Sequence, residues 1–381
     1  MSRLNCLLSL WLGIIIFACA DNPTDSVTLP PVPQDLGDGW EVSSLASEGI
    51  NPERVAWLSG AIKAGQFGQI HSVLIARNNK LVFEEYYGEY NAGKVHALAS
   101  VTKSIVSLLV GIAKDRGYIE NIDEPIEPFF PEYAEVFAAD TLKRSITIRN
   151  LLTMSSGLQW DEWSYPYNSS LNSHYQMERS LNWVSYTLRL PLTTTPGTSF
   201  TYNSGNSILL GGIIKSTCET QADLWAEQVL FTPLGISTYQ WYPHNNGMPH
   251  TGGGLHLRPR DLAKIGYVVL NEGKWGDRQI VSEDWLRQSA EVAMNVWPDV
   301  NYGFQWWLRP LPDMLESNPA QNDIMHGWGY AGQFLFVIQK LNMVVVCNSW
   351  NLGGQENAPV YFLYDFILRA VSEGTTLAKE R

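Results

Sequence analysis

Three residues in this chain have the types and spacing to activate a hydroxyl: Ser100, Lys103 and Tyr202. Ser100 and Lys103 stand three apart in LASVTKSIVSLLVGIAKDRG, residues 98–117. On a helix that spacing puts both side chains on one face, with Cβ atoms about 5–6 Å apart. At a helix start, unpaired N–H groups and the dipole favour a developing alkoxide. A lysine with a free pKa of ~10.4 is a poor base in water, but burial and a nearby positive end lower that value. A helix N-cap and a solvated lysine would explain the same two residues separately, and Ser-x-x-Lys arises by chance in long chains. Two features favour the chemical reading. HALA before Ser100 and SIVSLLVGIA after Lys103 place the pair on a buried helix. Tyr202, in FTYNSGNS, follows the turn TPGTS and precedes an apolar helix, so it sits at a helix entrance. Beside an ammonium group a phenolate is favoured, and it can take the serine proton. Without Ser100, a turn tyrosine packed on a helix would be the simpler reading.

These residues need elements to hold them. NPERVAWLSGAIK, residues 51–63, has an early proline and helical apolar spacing. HSVLIAR and KLVFEEYYG flank Asn78-Asn79 and read as a β-hairpin. In the Ser100 helix, Ile105, Leu108, Leu109 and Ile112 recur at helical spacing, and Gly117 ends it. The region from about 118 to 250 has loops and helices and few strand patterns. Beyond it PRDLAKIGYVVLNEG is helical, GQFLFVIQ and MVVVCNSW are strands, and PVYFLYDFILRAV is a closing apolar helix. The predicted fold is α/β of the α+β kind: an antiparallel sheet flanked by terminal helices, with an inserted, mostly helical domain. Residues 41–104 and 251–375 form the α/β domain and 105–250 the insertion, with a cleft where they meet.

The chain has 381 residues, of which 45% are hydrophobic and 17% charged, enough for a sizeable core. Its net charge of -12 argues against the basic surface that nucleic-acid phosphates need, so no nucleic-acid partner is expected. The 15 tryptophans recur in Gly-rich loops such as GLQWDEW, YGFQWWL and HGWGYAG, which suit a cleft lining. Trp160, Trp163 and Tyr165 are candidates for its rim. No HExxH and no paired histidine spacing appears, so neither a metal nor a cofactor is predicted. Cys218 and Cys347 lie in apolar stretches and read as buried free thiols, with one disulfide as the alternative. At the N-terminus, Arg3 precedes an apolar run from Leu7 to Ala18, too short to span a bilayer and suited to a signal peptide over 1–19. Residues 20–40, rich in Pro, Asp and Thr, read as a tether. The expected location is the bacterial cell envelope, periplasmic or lipid-anchored. Ile16-Phe17-Ala18-Cys19 resembles a lipobox, which would make Cys19 a lipidated residue and attach the protein to a membrane; Phe17 is bulkier than usual there, and plain secretion is the alternative.

Ser100-Val101-Thr102-Lys103 followed by Tyr202-Asn203-Ser204 resembles the serine β-lactamase and penicillin-recognising superfamily, and within it the class C β-lactamase-related hydrolases. The segments TIRNLLTMSSGL, GGGLHLRPRDLAKIGYVVLNEGKW and YGFQWW extend the resemblance over about 51–371. It implies a β-lactamase/transpeptidase-like fold and an acyl-enzyme on Ser100. It also implies an oxyanion hole made by the backbone N–H groups of Ser100 and of Tyr330, the residue after the third-motif glycine. The sequence departs from the class C pattern. The second motif is Tyr-x-Ser, as in the 6-aminohexanoate-dimer hydrolases and some esterases, and Ser204 is expected near Lys103 or the acyl group. The third motif, Lys-Thr-Gly in the superfamily, falls on Gly327-Trp328-Gly329, and a one-residue shift would start it at His326. Without a cation there, and with Trp328 in the cleft, a substrate carboxylate loses its partner. The expected substrate is a small ester, amide or peptide-like molecule and not a β-lactam. A β-lactamase or DD-peptidase is the alternative, and a non-catalytic envelope binding protein is the alternative of another class. No G-x-S-x-G elbow supports a Ser-His-Asp mechanism.

Overall fold

The computed structural model describes residues 28–312, 315 and 322–371. The predicted signal peptide and Cys19 lie outside these residues. In chain order the elements begin with β1 (Glu41–Val42), α1 (Pro52–Lys63), β2 (Ile70–Arg77), β3 (Lys80–Tyr86), β4 (His96–Ala97) and α2 (Val101–Asp115). Then follow α3 (Ala134–Ala139), α4 (Ile148–Leu152), α5 (Ser173–Glu178), α6 (Trp183–Arg189), α7 (Ser204–Cys218) and α8 (Ala222–Ala226). The second half adds β5 (Tyr239–Trp241), β6 (Leu255–Leu257), α9 (Pro259–Leu270), β7 (Lys274–Trp275), β8 (Arg278–Gln279) and α10 (Glu283–Ser289). It closes with β9 (Met294–Trp297), β10 (Val300–Tyr302), β11 (Trp307–Arg309), β12 (Ile324–Gly329), β13 (Gln333–Ile338), β14 (Met343–Ser349) and α11 (Ala358–Phe362). Nine strands make one sheet in the order β1-β3-β2-β14-β13-β12-β11-β10-β9, antiparallel except for the β1–β3 pair. The two ends of the chain thus build one sheet and the middle supplies helices, as the strand patterns predicted.

The central strands carry runs of consecutive apolar residues, such as 73–76, 334–338 and 343–347, because both faces are covered. In β14, Val344 and Val346 point into one core with α2, α7 and α9, while Met343, Val345 and Cys347 point into a second core with α1 and the terminal helix. β13 divides the same way, with Leu335 and Val337 on one side and Phe334, Phe336 and Ile338 on the other. The hairpin turn forms at Asn78-Asn79, where both residues have positive φ (51° and 69°), a conformation asparagine tolerates. α1 starts where Pro52 and the cap from Asn51 to the Glu53 N–H direct it. α2 is buried over nearly its whole length, which the apolar run around Lys103 requires. The terminal helix does not run on as a regular α-helix, but continues over Leu363–Leu368 as a π-helical segment. Cys218 and Cys347 are free thiols.

Candidate active site

Ser100 stands immediately before α2, and its side chain makes no capping hydrogen bond. The residue before it, Ala99, is held at a φ of 44°, in the left-handed region that an alanine rarely adopts. That turn aims the Ser100 hydroxyl away from the helix N–H groups and toward Lys103. Lys103 Nζ donates to Ser100 Oγ at 2.9 Å and to the Gly252 carbonyl at 2.6 Å. It is 1% exposed, so a solvated lysine is excluded. Burial pulls its pKa down to about 8, against the opposing pull of the Glu162 carboxylate.

Tyr202 precedes α7, which Asn203 caps through the N–H of Asn206. Tyr202 lines the same cleft lobe as Ser100, whose hydroxyl interacts favourably with the phenol, and its ring centre lies 5.0 Å from Lys103 Nζ. The fold therefore brings Ser100, Lys103 and Tyr202 together. The protonation state expected for the tyrosine does not follow. Burial, followed by the charge of Glu162, pushes the phenol up, and the Ser100 interaction offsets this only in part. Tyr202 is a neutral phenol, and Lys103 is the group whose proton affinity has been brought toward neutrality.

Glu162 escaped the sequence reading. It lies in GLQWDEW, a stretch that looks like rim, yet it is buried and accepts four hydrogen bonds. Trp160 Nε1 donates at 2.7 Å, Tyr167 Oη at 2.9 Å, the Ser204 N–H at 2.9 Å and Ser204 Oγ at 2.7 Å. Burial by itself would raise its pKa, but the Lys103 charge, His174 and the Ser204 bonds outweigh it and hold the carboxyl ionised. Ser204 consequently bonds neither to Lys103 nor into the acyl space; it is a partner of Glu162. Trp160 is likewise a buried partner of this carboxylate and no part of the rim. The available signal was the pair Asp161-Glu162 set between two tryptophans in a loop otherwise suited to burial.

The third-motif segment is the end of β12, which lies against the start of α2. A Cβ at Gly327 would come 2.9 Å from Val101 Cγ1, and one at Gly329 would collide with the Leu98 carbonyl. Gly327 makes room for the Val101 and Ser104 side chains of α2, and Gly329 lets the strand backbone approach the backbone at Leu98, just before Ser100. Trp328 turns to the cleft and meets Trp307 edge-on at 5.4 Å. His326 is a correction: the fold places its ring beside Phe334 and Phe336. It is fully buried, its Nδ1 bonds to the Trp307 carbonyl, and its Nε2 accepts from Arg309 Nε. Burial, with Arg309 beside it, keeps the imidazole neutral, and no substrate can reach it. Tyr165 is a second correction: it is an exposed loop residue whose carbonyl holds Asn172, outside the lining of either cleft lobe.

The cleft has two lobes that share Ser100, Tyr167 and Tyr330. One, of 270 Å³, is walled by Trp163, Tyr202, Trp307 and Trp328, with Gly329 at its edge. Trp163 stacks on Tyr202 at 5.2 Å and on Trp297 at 5.1 Å, which fixes the orientation of the phenol. The other, of 430 Å³, contains His174, Glu178, His250 and His256. Among the described residues, neither lining includes a lysine or arginine, whereas Glu356, Glu162 and Glu178 line one lobe or the other. Among the described residues, His174, Glu178 and His250 are a group that could hold a metal ion, where the sequence spacing predicted none.

A family model described as Beta-lactamase matches residues 30–363. The chain is similar to a 6-aminohexanoate-dimer hydrolase of Paenarthrobacter ureafaciens, 24% identical over 304 residues that cover 73% of this chain and 72% of that protein. Among solved structures, it superposes on EstCE1, a hydrolase with promiscuous acyltransferase activity, with a TM-score of 0.67 and 16% identity over 86% of this chain and 98% of that one. A family VIII carboxylesterase gives a TM-score of 0.62 and 14% identity, covering 83% and 96% of the two chains. At these identities the structural likeness is one of fold.

Proposed function

The chain belongs to the Beta-lactamase family, and on that premise we propose that it is a serine hydrolase that transfers the acyl group of a neutral ester or amide to Ser100 and then to water. The observation that carries the proposal is the buried Lys103 amine, 2.9 Å from the serine oxygen and with its pKa near 8. An amine so placed accepts the serine proton as the C–O bond forms. The Gly252 carbonyl keeps it in position before and after. Tyr202, neutral and beside Ser100, is suited to pass a proton to the leaving group. Water then attacks the acyl-enzyme along the reverse proton path. The N–H groups of Ser100 and Tyr330 are assigned to the oxyanion; losing one such donor typically costs about 3–4 kcal/mol of transition-state stabilisation.

The lining argues for the substrate class. A carboxylate-bearing substrate would enter a cleft with no lysine or arginine in its walls and three carboxylates along them. An apolar or neutral acyl group fits the Trp163, Trp307 and Trp328 wall without that repulsion. The names of the similar proteins, a 6-aminohexanoate-dimer hydrolase and a carboxylesterase, agree with an amide or ester as the bond cleaved. The test pairs p-nitrophenyl esters of short acids with a chromogenic cephalosporin. Ester turnover should dominate, and Ser100→Ala should abolish both turnover and phosphonate labelling. Faster cephalosporin turnover would favour the β-lactamase reading, and no acyl-enzyme with any ester or amide would favour a binding role. Export to the cell envelope is proposed on the Leu7–Ala18 run and Cys19; the mass of the mature N-terminus tests it.

A further inference from the structure

We propose that His174, Glu178 and His250 bind a divalent transition-metal ion of the zinc class on the wall of the cleft facing Ser100. The inference stands apart from the acyl-enzyme reading, because it uses none of Ser100, Lys103 or Tyr202.

The site is built on a fixed frame. Asn172 caps α5 through the N–H groups of His174 and Tyr175. His174 and Glu178 are four apart, so they share one face of that helix. His250 arrives from the loop after β5. Its N–H bonds to the Tyr242 carbonyl and its carbonyl accepts from Trp241 Nε1, which together hold the residue by its backbone. One ligating atom of each of the three residues lies within 4.8 Å of the other two.

The second observation is what these atoms lack. His250 is 6% exposed, yet neither ring nitrogen has a hydrogen-bond partner among the described residues, and His174 Nδ1 has none either. A His–Glu ion pair does not account for this. His250 Nε2 is 3.6 Å from Glu178 Oε1 and His174 Nδ1 is 3.8 Å from Glu178 Oε2, both beyond hydrogen-bond length. Buried polar atoms are almost always bonded, so orphaned nitrogens around one point call for an explanation. Separations slightly above those of ligands around a tetrahedral ion are what a bound cation would close, and Glu178 is exposed enough to swing inward.

The donor set selects the ion class. Two imidazoles and one carboxylate suit zinc and its neighbours, whereas calcium and magnesium prefer oxygen alone. The charges facing the site are Glu178, the buried Glu162 and Lys103, so the balance without metal is negative. Three protein ligands leave an open position, and the cavity they line also contains Ser100. An ion there would present a positive centre to a substrate oxygen, in a cleft whose walls have no lysine or arginine.

The test uses the full chain stripped of metal with a chelator and titrated with zinc chloride, read by calorimetry, with cobalt(II) as a spectroscopic probe. One equivalent should bind in the micromolar range or tighter, and cobalt should give the intense visible bands of a four-coordinate site. Glu178→Gln, on an exposed residue that leaves the core intact, should weaken binding about 10–100-fold, and His250→Asn at least as much. Ser100→Ala and Glu356→Gln should bind as the parent does. No saturable binding, or a Glu178→Gln variant that binds zinc as tightly as the parent, would overturn the proposal.

Discussion

If Lys103 is the base, its protonation should set the rate, and Glu162 should set its protonation. With a pKa of about 8, roughly 1% of Lys103 is neutral at about pH 6 and roughly 90% at about pH 9. The kcat/KM for a neutral ester should therefore climb about tenfold per pH unit below that value and level off above it. Glu162 is the charge that holds Lys103 up, so Glu162→Gln should move the limb to lower pH, by about one pH unit for a close charge partner. The substitution is compatible with the site. Trp160 Nε1 and the Ser204 N–H can still bond to an amide oxygen, and the hydroxyls of Ser204 and Tyr167 can turn to accept from an amide NH₂. At about pH 6 the variant should then lie about tenfold nearer its own plateau than the parent does. The measurement is a kcat/KM profile for a p-nitrophenyl ester, corrected for background hydrolysis, on both proteins. A flat parental profile from about pH 6 to about pH 9 would refute the role of Lys103. A Glu162→Gln limb that stays put or moves upward would refute the coupling between the two residues.

Tyr202→Phe should keep the aromatic stack and lose the phenol, lowering kcat by about 10²–10⁴-fold with little change in KM; an unaltered kcat would remove the tyrosine from the proton path. Gly329→Ala pushes a methyl against the Leu98 carbonyl, so activity should fall by an order of magnitude or more, as steady-state turnover with a folded protein by circular dichroism would reveal. Asp261→Ala leaves the fully buried Lys264 without its carboxylate and frees Arg258, and should cost about 3–5 kcal/mol in urea unfolding.

The parts of the molecule legible in the sequence are those fixed by neighbours along the chain. The β2–β3 hairpin is written in its β-rich runs and the Asn78-Asn79 turn, and α2 in its apolar spacing. Ser100 and Lys103 are one turn apart, so helix geometry alone sets them together. Tyr202 was found through a resemblance, because a gap of a hundred residues carries no geometric information. Glu162 and His250 were missed for that same reason, since loops bring them in with no period to read, whereas His174 and Glu178, four apart on α5, had a readable spacing that lacked its remote third member. His326 is different. It shares a face of β12 with Trp328, so alternation alone does not separate the two, and only the cover of Phe334 and Phe336 in the fold puts the imidazole out of reach. The phenolate expected at Tyr202 failed because its burial, which opposes the charged form, exists only after folding.

The left-handed Ala99, the Lys103 clamp on the Gly252 carbonyl and the glycines of β12 draw one small reaction centre from segments spread over more than half the polypeptide. A nascent chain that has not yet laid β12 against α2 has the serine but not its surroundings. Covalent tagging of Ser100 would then serve as a stopwatch for the last step of maturation, and the protein would need no propeptide to stay harmless while it is being made.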